Sequence, residues 1–178
     1  MLYQPKWVDG KESGRSKRDC NSRYEAIASY LTGREGFTVL DVGAYLGYFG
    51  ARLHEDFGAH TTAVDDYAGL TDAPGVTAIN KRMTAGEIRK LGHFDVALLL
   101  SVLHHVPRWR EMLKAVVDSA DIVFIETSNP NEVLPKARMH GSAADIHEAV
   151  EATGAKILTY TKGFGEDYDR PLWVLDKG

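Results

Sequence analysis

Residues 39–50, VLDVGAYLGYFG, decide how this chain is read. An apolar run reaches Asp41, then meets Gly43 and Gly47 before the apolar residues resume at helical spacing. FTVLDV (37–42) has the continuous apolar character of a strand buried on both faces, and LGYFGARLHEDF (46–57) reads as a helix stopped by Gly58. A glycine-spaced turn between a strand and a helix lets backbone pass close to a ligand, and the helix N-terminus presents free N–H groups to an anion.

The same alternation continues along the chain. HTTAVD (60–65), VTAIN (76–80), FDVALLL (94–100) and DIVFIE (121–126) read as strands. TAGEIRKL (84–91) opens with a Thr84/Glu87 capping box, and SAADIHEAVEAT (142–153) is a second well-bounded helix. A long helix is expected over 102–120, with Leu103, Val106, Leu113, Val116 and Val117 on one face, Pro107 in its first turns and Ser101 as its N-cap. AKILTYT (155–161) and PLWVLD (171–176) have no helix between them and should lie antiparallel. Only residues 66–75 join strands two and three, too few for an ordinary crossover, so the helix there is short or missing. Residues 1–16 read as an irregular arm and about 17–32 as a helix; together, 1–36 form an N-terminal arm and helix ahead of the main domain, 37–178. The expected fold is α/β, Rossmann-like and doubly wound, with a mostly parallel seven-stranded sheet whose last strand is antiparallel.

In such sheets ligands bind beyond the carboxyl ends of the strands, where strand order reverses. Asp65, closing the second strand, is placed to take both hydroxyls of a ribose, with Asp66 beside it as a second candidate. The dinucleotide fingerprint G-x-G-x-x-G would require glycine at 45 and 48, where Tyr45 and Tyr48 stand, so NAD and FAD fit poorly.

The better match is to the class I S-adenosylmethionine-dependent methyltransferases. Asp41, Gly43 and Gly47 resemble their D/E-x-G-x-G-x-G motif, with Tyr45 in place of the middle glycine. TTAVDD is similar to their second motif, FDVALLLSVLHHVP to their fourth-strand motif, and DIVFIET to their fifth strand; the resemblance covers about 37–176. In the third motif INKRMT lacks the usual acid, leaving Asn80, Arg82 and Met83 as candidates near the adenine.

The resemblance implies S-adenosylmethionine as cofactor, its methionine portion along Gly43, Ala44 and Tyr45, with Asp41 facing the amino group and Leu100 and Ser101 near the sulfur. His104 and His105 follow at the mouth of the site and are the candidate bases, His105 slightly preferred. Adjacent helical residues point about 100° apart, so at most one faces the acceptor. Glu126 and the loop after it should border the substrate, with Asn129, Glu132 and His140 either contacting it or serving only as turn residues. Arg15, Lys17, Arg18 and Arg23 cluster around the N-terminal helix, and Arg170 in the last hairpin joins them as a candidate clamp for a phosphate or carboxylate; the competing expectation is a solvated basic face.

The chain has 178 residues, 44% apolar and 26% charged, and a formal net charge of −4, which argues against general coating of nucleic acid. One cysteine, Cys20, excludes an internal disulfide and a thiolate metal cluster, and no metal is expected from the spacing of His104 and His105. The longest apolar run, VALLLSVL (96–103), is too short for a membrane span, and MLYQPKWVDGK lacks the core of a secretion signal, so the expectation is a soluble, cytoplasmic protein. Two function classes follow. One is a methyltransferase acting on a small molecule, sugar or sugar-phosphate, with glycan acceptors included and RNA left open by the basic arm. The other is an inactive methyltransferase-fold partner subunit. The D/N-P-P-Y motif of amino-group methylation is absent, and an open polar cavity favours the first class.

Overall fold

A computed structural model of the chain describes residues 2–132, 142–163 and 168–178. In its seven-stranded sheet β3 (Thr38–Val42) pairs in parallel with β4 (His60–Asp65) on one side and with β6 (Phe94–Leu100), the middle strand, on the other. β5 (Val76–Asn80) extends the sheet beyond β4, and β7 (Ala120–Glu126) extends it beyond β6. β9 (Asp169–Asp176) inserts antiparallel between β7 and β8 (Lys156–Lys162), giving the order β5-β4-β3-β6-β7-β9-β8. Strand order reverses between β3 and β6, and their carboxyl ends, at Val42 and Leu100, open the crevice where such sheets bind ligands.

Both faces of the sheet are covered, which is why its central strands carry unbroken apolar runs. Leu40, Ala97, Leu99, Val123 and Ile125 face α3 (Ala85–Lys90), α4 (Trp109–Asp118) and α5 (Ala143–Glu151). Val39, Val96, Leu98, Ile122 and Phe124 face α1 (Cys20–Tyr30) and α2 (Tyr48–Phe57). Side chains alternate along a strand, so Asp41 and Glu126 fall on this second face, the one covered by α1.

The Thr84/Glu87 capping box forms, and the helix starting at Ser142 has a second one, closed by Asp145. No helix occupies 66–75. The long helix expected over 102–120 is broken. A single 3₁₀ turn (Leu103–His105) is followed by Val106 in an extended conformation, φ −104° and ψ 121°, and α4 begins only at Trp109. Pro107 is the cause, because a proline ring disfavours the α region in the residue before it. Ser101 is therefore not a helix cap. Its backbone is left-handed, φ 59°, which turns its hydroxyl under the sheet edge.

The arm is also more ordered than expected. β1 (Lys6–Val8) and β2 (Lys11–Ser13) form a hairpin through Asp9 and Gly10, with φ 49° and 73°. Asp-Gly is the dipeptide a two-residue hairpin turn of this geometry requires. Trp7 fastens the hairpin to α2. Its Nε1 donates to Glu55 at 2.7 Å, its ring meets Tyr48 edge-on, and the Arg52 guanidinium lies 4.3 Å from its centroid. Among the described residues no helix is long and apolar enough to cross a membrane.

Candidate active site

The crevice between β3 and β6 widens into a cavity of about 1000 Å³. Gly43 forms its floor on the β3 side with φ 82°, and a Cβ there would lie 2.3 Å from the Val102 side chain. Only glycine fits this position, for reasons of both conformation and space. The backbone N–H groups of Gly43 and Ala44 donate to the Val64 carbonyl at 2.8 and 3.2 Å, locking the turn against the end of β4. Ala44 faces inward, packed with Ala63, Leu70 and Val76, and Gly47 starts α2 with φ 74°; neither lines the cavity.

Asp65 completes the turn. One carboxylate oxygen accepts from the Tyr45 N–H and the other from the Tyr67 N–H, both at 2.8 Å. Each oxygen keeps a lone pair for another donor. Tyr45, at the position where the motif has glycine, has φ 53°, and its ring swings out to stack on Tyr67, centroids 4.4 Å apart, with Tyr3 edge-on at 5.9 Å. The tyrosine thus leaves the turn open and becomes part of the cavity wall.

Asp41 lies behind this turn, 2% exposed, and its Oδ2 has no hydrogen-bond partner among the described residues. Burial, reinforced by Asp65, pushes its carboxyl up to about 7, against the pull of Arg23. A buried carboxylate lacking a partner is costly unless a cation or donor arrives to meet it. Asp66 sits at the cavity mouth, paired with Arg82 at 2.7 Å. Arg82 and Met83 line the cavity, whereas the Asn80 amide is turned away to the Leu70 carbonyl at 2.6 Å.

On the β6 side, Leu100, Ser101 and His105 line the cavity. His105 is open to solvent on one side, and partial burial of the other, with Arg170 and Arg82 nearby, lowers its pKa. His104 turns inward, its Nδ1 3.3 Å from the Ser128 hydroxyl; burial, then His105 and Arg170, push it down to about 3. The two rings are close, centroids 4.2 Å apart, yet only His105 lines the cavity.

Behind Ser101 lies a buried ion cluster centred on Glu126. Arg18 Nη2 donates to both carboxylate oxygens at 2.8 and 2.7 Å, Arg23 Nη1 reaches one at 3.3 Å, Thr161 donates at 2.9 Å, and the Ser101 hydroxyl also donates to Glu126. Arg170 Nη1 donates to the Ser101 hydroxyl at 3.0 Å, while its other nitrogens hold Glu132. Burial alone would raise the Glu126 pKa, but Arg23, Arg18, Ser101 and Arg170 together hold it down at about 2. The basic segment thus divides: Arg18 and Arg23 are buried, while Arg15 and Lys17 are exposed. Glu126 is fully enclosed rather than bordering the cavity, and Asn129 binds the Asp169 carbonyl at 2.9 Å. His140 lies outside the described residues.

Sequence reasoning missed Tyr3 and Gln4, which line the cavity from the N-terminal segment. No motif marks them. Only the chain path does, in which Leu2 and Lys17 are tied by a 3.1 Å backbone bond at the base of the arm. The bracing role of Asp65 had a local signal, since an aspartate two residues before Tyr67 commonly caps its own turn.

No family model matches the chain, and no curated relative matches its sequence. Solved structures do match in fold. The bifunctional kinase-methyltransferase WbdD superposes with a TM-score of 0.73 at 21% identity over 91% of this chain and 40% of WbdD. The chain therefore spans about two fifths of that protein. The magnesium protoporphyrin IX methyltransferase ChlM from Synechocystis PCC 6803, with bound SAH, matches with a TM-score of 0.63 at 16% identity over 86% of this chain and 81% of ChlM. A putative O-methyltransferase from Nostoc punctiforme PCC 73102 matches at 0.60 and 18% identity, covering 86% and 55%. The strand order, the antiparallel β9 and these superpositions together identify the architecture as the class I S-adenosylmethionine-dependent methyltransferase fold.

Proposed function

We propose that the chain is an S-adenosylmethionine-dependent methyltransferase acting on a small-molecule, sugar or sugar-phosphate acceptor. The observation that carries this reading is the unpartnered, buried Oδ2 of Asp41 beside a glycine turn at the sheet's switch point. These acceptor oxygens suit a ligand with a cationic amino group and a ribose. Asp41, just behind the cavity wall, meets the ammonium directly or through water, the spare lone pairs of Asp65 take the ribose hydroxyls, and Gly43 allows close approach of the backbone. Leu100 and Ser101 border the reacting end, and Asp66 with Arg82 flanks the mouth. When bound, the cofactor supplies an electrophilic methyl group on a sulfonium.

The work left to the protein is alignment of the acceptor with the methyl carbon and exclusion of water. In well-oriented model reactions such alignment lowers barriers by on the order of 7–11 kcal/mol. A partner subunit that had lost activity would be expected to fill its acceptor space, and the cavity of about 1000 Å³ favours an enzyme. Burial of Arg18 and Arg23 removes two cations from any RNA-facing surface and favours a small acceptor or glycan end.

The test is calorimetric titration with S-adenosylmethionine, S-adenosylhomocysteine and NAD. Micromolar binding of the first two and none of NAD is expected. NAD binding alone, or no binding by any of the three, would overturn the reading.

A further inference from the structure

Resting on that methyl-transfer reading, the inference concerns the arm, residues 2–16, to which the reading gives no role. Its hairpin is too small to hold itself. Each strand has three residues, all exposed except half-buried Trp7, and an isolated two-stranded hairpin is marginal in water. The arm depends on what it is fastened to.

Two fastenings tie it to the strand–turn–helix that carries the glycine turn. The first is on α2. Trp7 Nε1 donates to Glu55 at 2.7 Å, and the Tyr48 hydroxyl donates to Glu12 at 2.8 Å. The Arg52 guanidinium stacks on the Trp7 ring and donates to the Tyr48 hydroxyl at 2.9 Å, joining the two contacts. The second is on the turn itself. The Tyr3 ring meets Tyr45 edge-on at 5.9 Å, and the Tyr3 backbone donates a hydrogen bond toward the Tyr45 hydroxyl.

Between these fastenings Tyr3 and Gln4 form part of the cavity wall. The Leu2 N–H, just ahead of them, donates to the Arg15 carbonyl at 2.9 Å, so the span moves only with the rest of the arm. Seating the arm carries a cost. Gln4 is 3% exposed, and its Oε1 has no partner among the described residues. An enclosed amide oxygen without a donor is unfavourable, and a ligand bringing N–H and O–H groups into the cavity offsets it. S-adenosylmethionine brings both, on its ammonium and its ribose. Tyr45 supplies a second link. Its N–H is held by Asp65, so a ligand that settles Asp65 also settles the arm's seat.

We propose that the arm is a clasp on the cofactor site: Trp7 holds Tyr3 and Gln4 in the cavity wall, and cofactor binding and arm seating strengthen each other. Tyr45, where the motif has glycine, is the seat of the clasp. Trp7 does not line the cavity and acts as a positioning residue. Linkage makes the two effects one number. The factor by which the cofactor favours the seated arm equals the factor by which the seated arm favours the cofactor.

The experiment reads that factor from both sides. Trypsin cuts after lysine and arginine, and Lys6, Lys11 and Arg15 are exposed in the arm. Mass spectrometry follows loss of the arm from an otherwise intact chain, with and without saturating S-adenosylhomocysteine. Calorimetry gives the S-adenosylhomocysteine affinity of wild type, Trp7→Ala and Trp7→Phe, with circular dichroism as the check of fold. Expected is arm cleavage slowed about five- to tenfold by the ligand, and affinity weakened by a similar factor in Trp7→Ala. Trp7→Phe keeps a ring against Tyr48 and Arg52 and should bind nearly as wild type. Arm cleavage unchanged by bound ligand overturns the inference and leaves the methyl-transfer reading intact, and that measurement needs no variant. Folded Trp7→Ala binding as tightly as wild type does the same. Failure of S-adenosylhomocysteine to bind wild type overturns the methyl-transfer reading, and the inference with it.

Discussion

The turn after β3 and the ion cluster behind β6 and β7 are both polar constructions at the same end of the sheet, built in opposite ways. The turn joins near neighbours in the chain. Tyr45, in the turn after β3, and Asp65, at the end of the adjacent parallel strand β4, are 20 residues apart, and their bond closes the turn. The cluster joins residues 108 apart, with Arg18 arriving from the arm, Arg170 from the last strand and Glu126 from the middle of the sheet. A device made by one strand–turn–helix leaves a motif. A device made by long-range convergence leaves residue types without spacing.

The largest expected effect breaks the cluster. Glu126→Ala leaves Arg18 and Arg23 buried without their carboxylate, a change that costs about 3–5 kcal/mol in comparable buried pairs. A melting temperature lower by on the order of 10 °C is expected by calorimetry. A shift no larger than that of a surface substitution would mean that the cluster does not hold the arm and α1 to the sheet.

Asp65→Ala breaks the turn instead. It removes the proposed ribose contacts and the brace on the Tyr45 and Tyr67 N–H groups. Affinity for S-adenosylmethionine should fall about 100-fold or more, with stability lowered by only about 1–3 kcal/mol. The contrast with Glu126→Ala is the informative part: one change acts chiefly on ligand affinity, the other chiefly on stability. Unchanged affinity would remove the ribose assignment.

The comparison also shows what could be read from the chain. The alternation of strands and helices, the Thr84/Glu87 capping box and the Gly43 turn depend on local chemistry, and all were legible. The break at Val106–Pro107 was also local, but the apolar stripe of 103–117 outweighed the proline in the reading. The Asp9–Gly10 hairpin was missed because its strands are short and mostly exposed. Convergence on Glu126 was only half legible. Counting two residues on from Phe124 puts Glu126 on one face of the sheet, but nothing in the sequence says that α1 covers that face.

Asp41 links the two regions, since it lies on β3 directly behind the turn yet feels Arg23. Its carboxyl stays protonated to about pH 7, and an ammonium ligand requires it ionised. Affinity for S-adenosylmethionine should therefore fall as pH drops below about 7, approaching tenfold per unit, and level off above it. The same group lowers stability as pH rises, because between 3.8 and about 7 the unfolded chain releases its proton before the native one does. Asp41→Asn should flatten the pH dependence of affinity. An unaltered profile in that variant would assign the titration elsewhere.

The smallest effect concerns Tyr45, where left-handed backbone opposes aromatic stacking. A non-glycine residue at φ 53° carries roughly 1–2 kcal/mol of strain, and stacking on Tyr67 returns about 0.5–1.5 kcal/mol. Tyr45→Gly loses both and should lie within about 1 kcal/mol of wild type by urea denaturation. Tyr45→Ala loses the ring but keeps the strain, so it should be the less stable of the two by about 1 kcal/mol. The reverse order would mean that the turn does not need its left-handed residue at 45. Tyrosine would then be retained there without opposition, and the departure from glycine would carry no structural cost for its ring to offset.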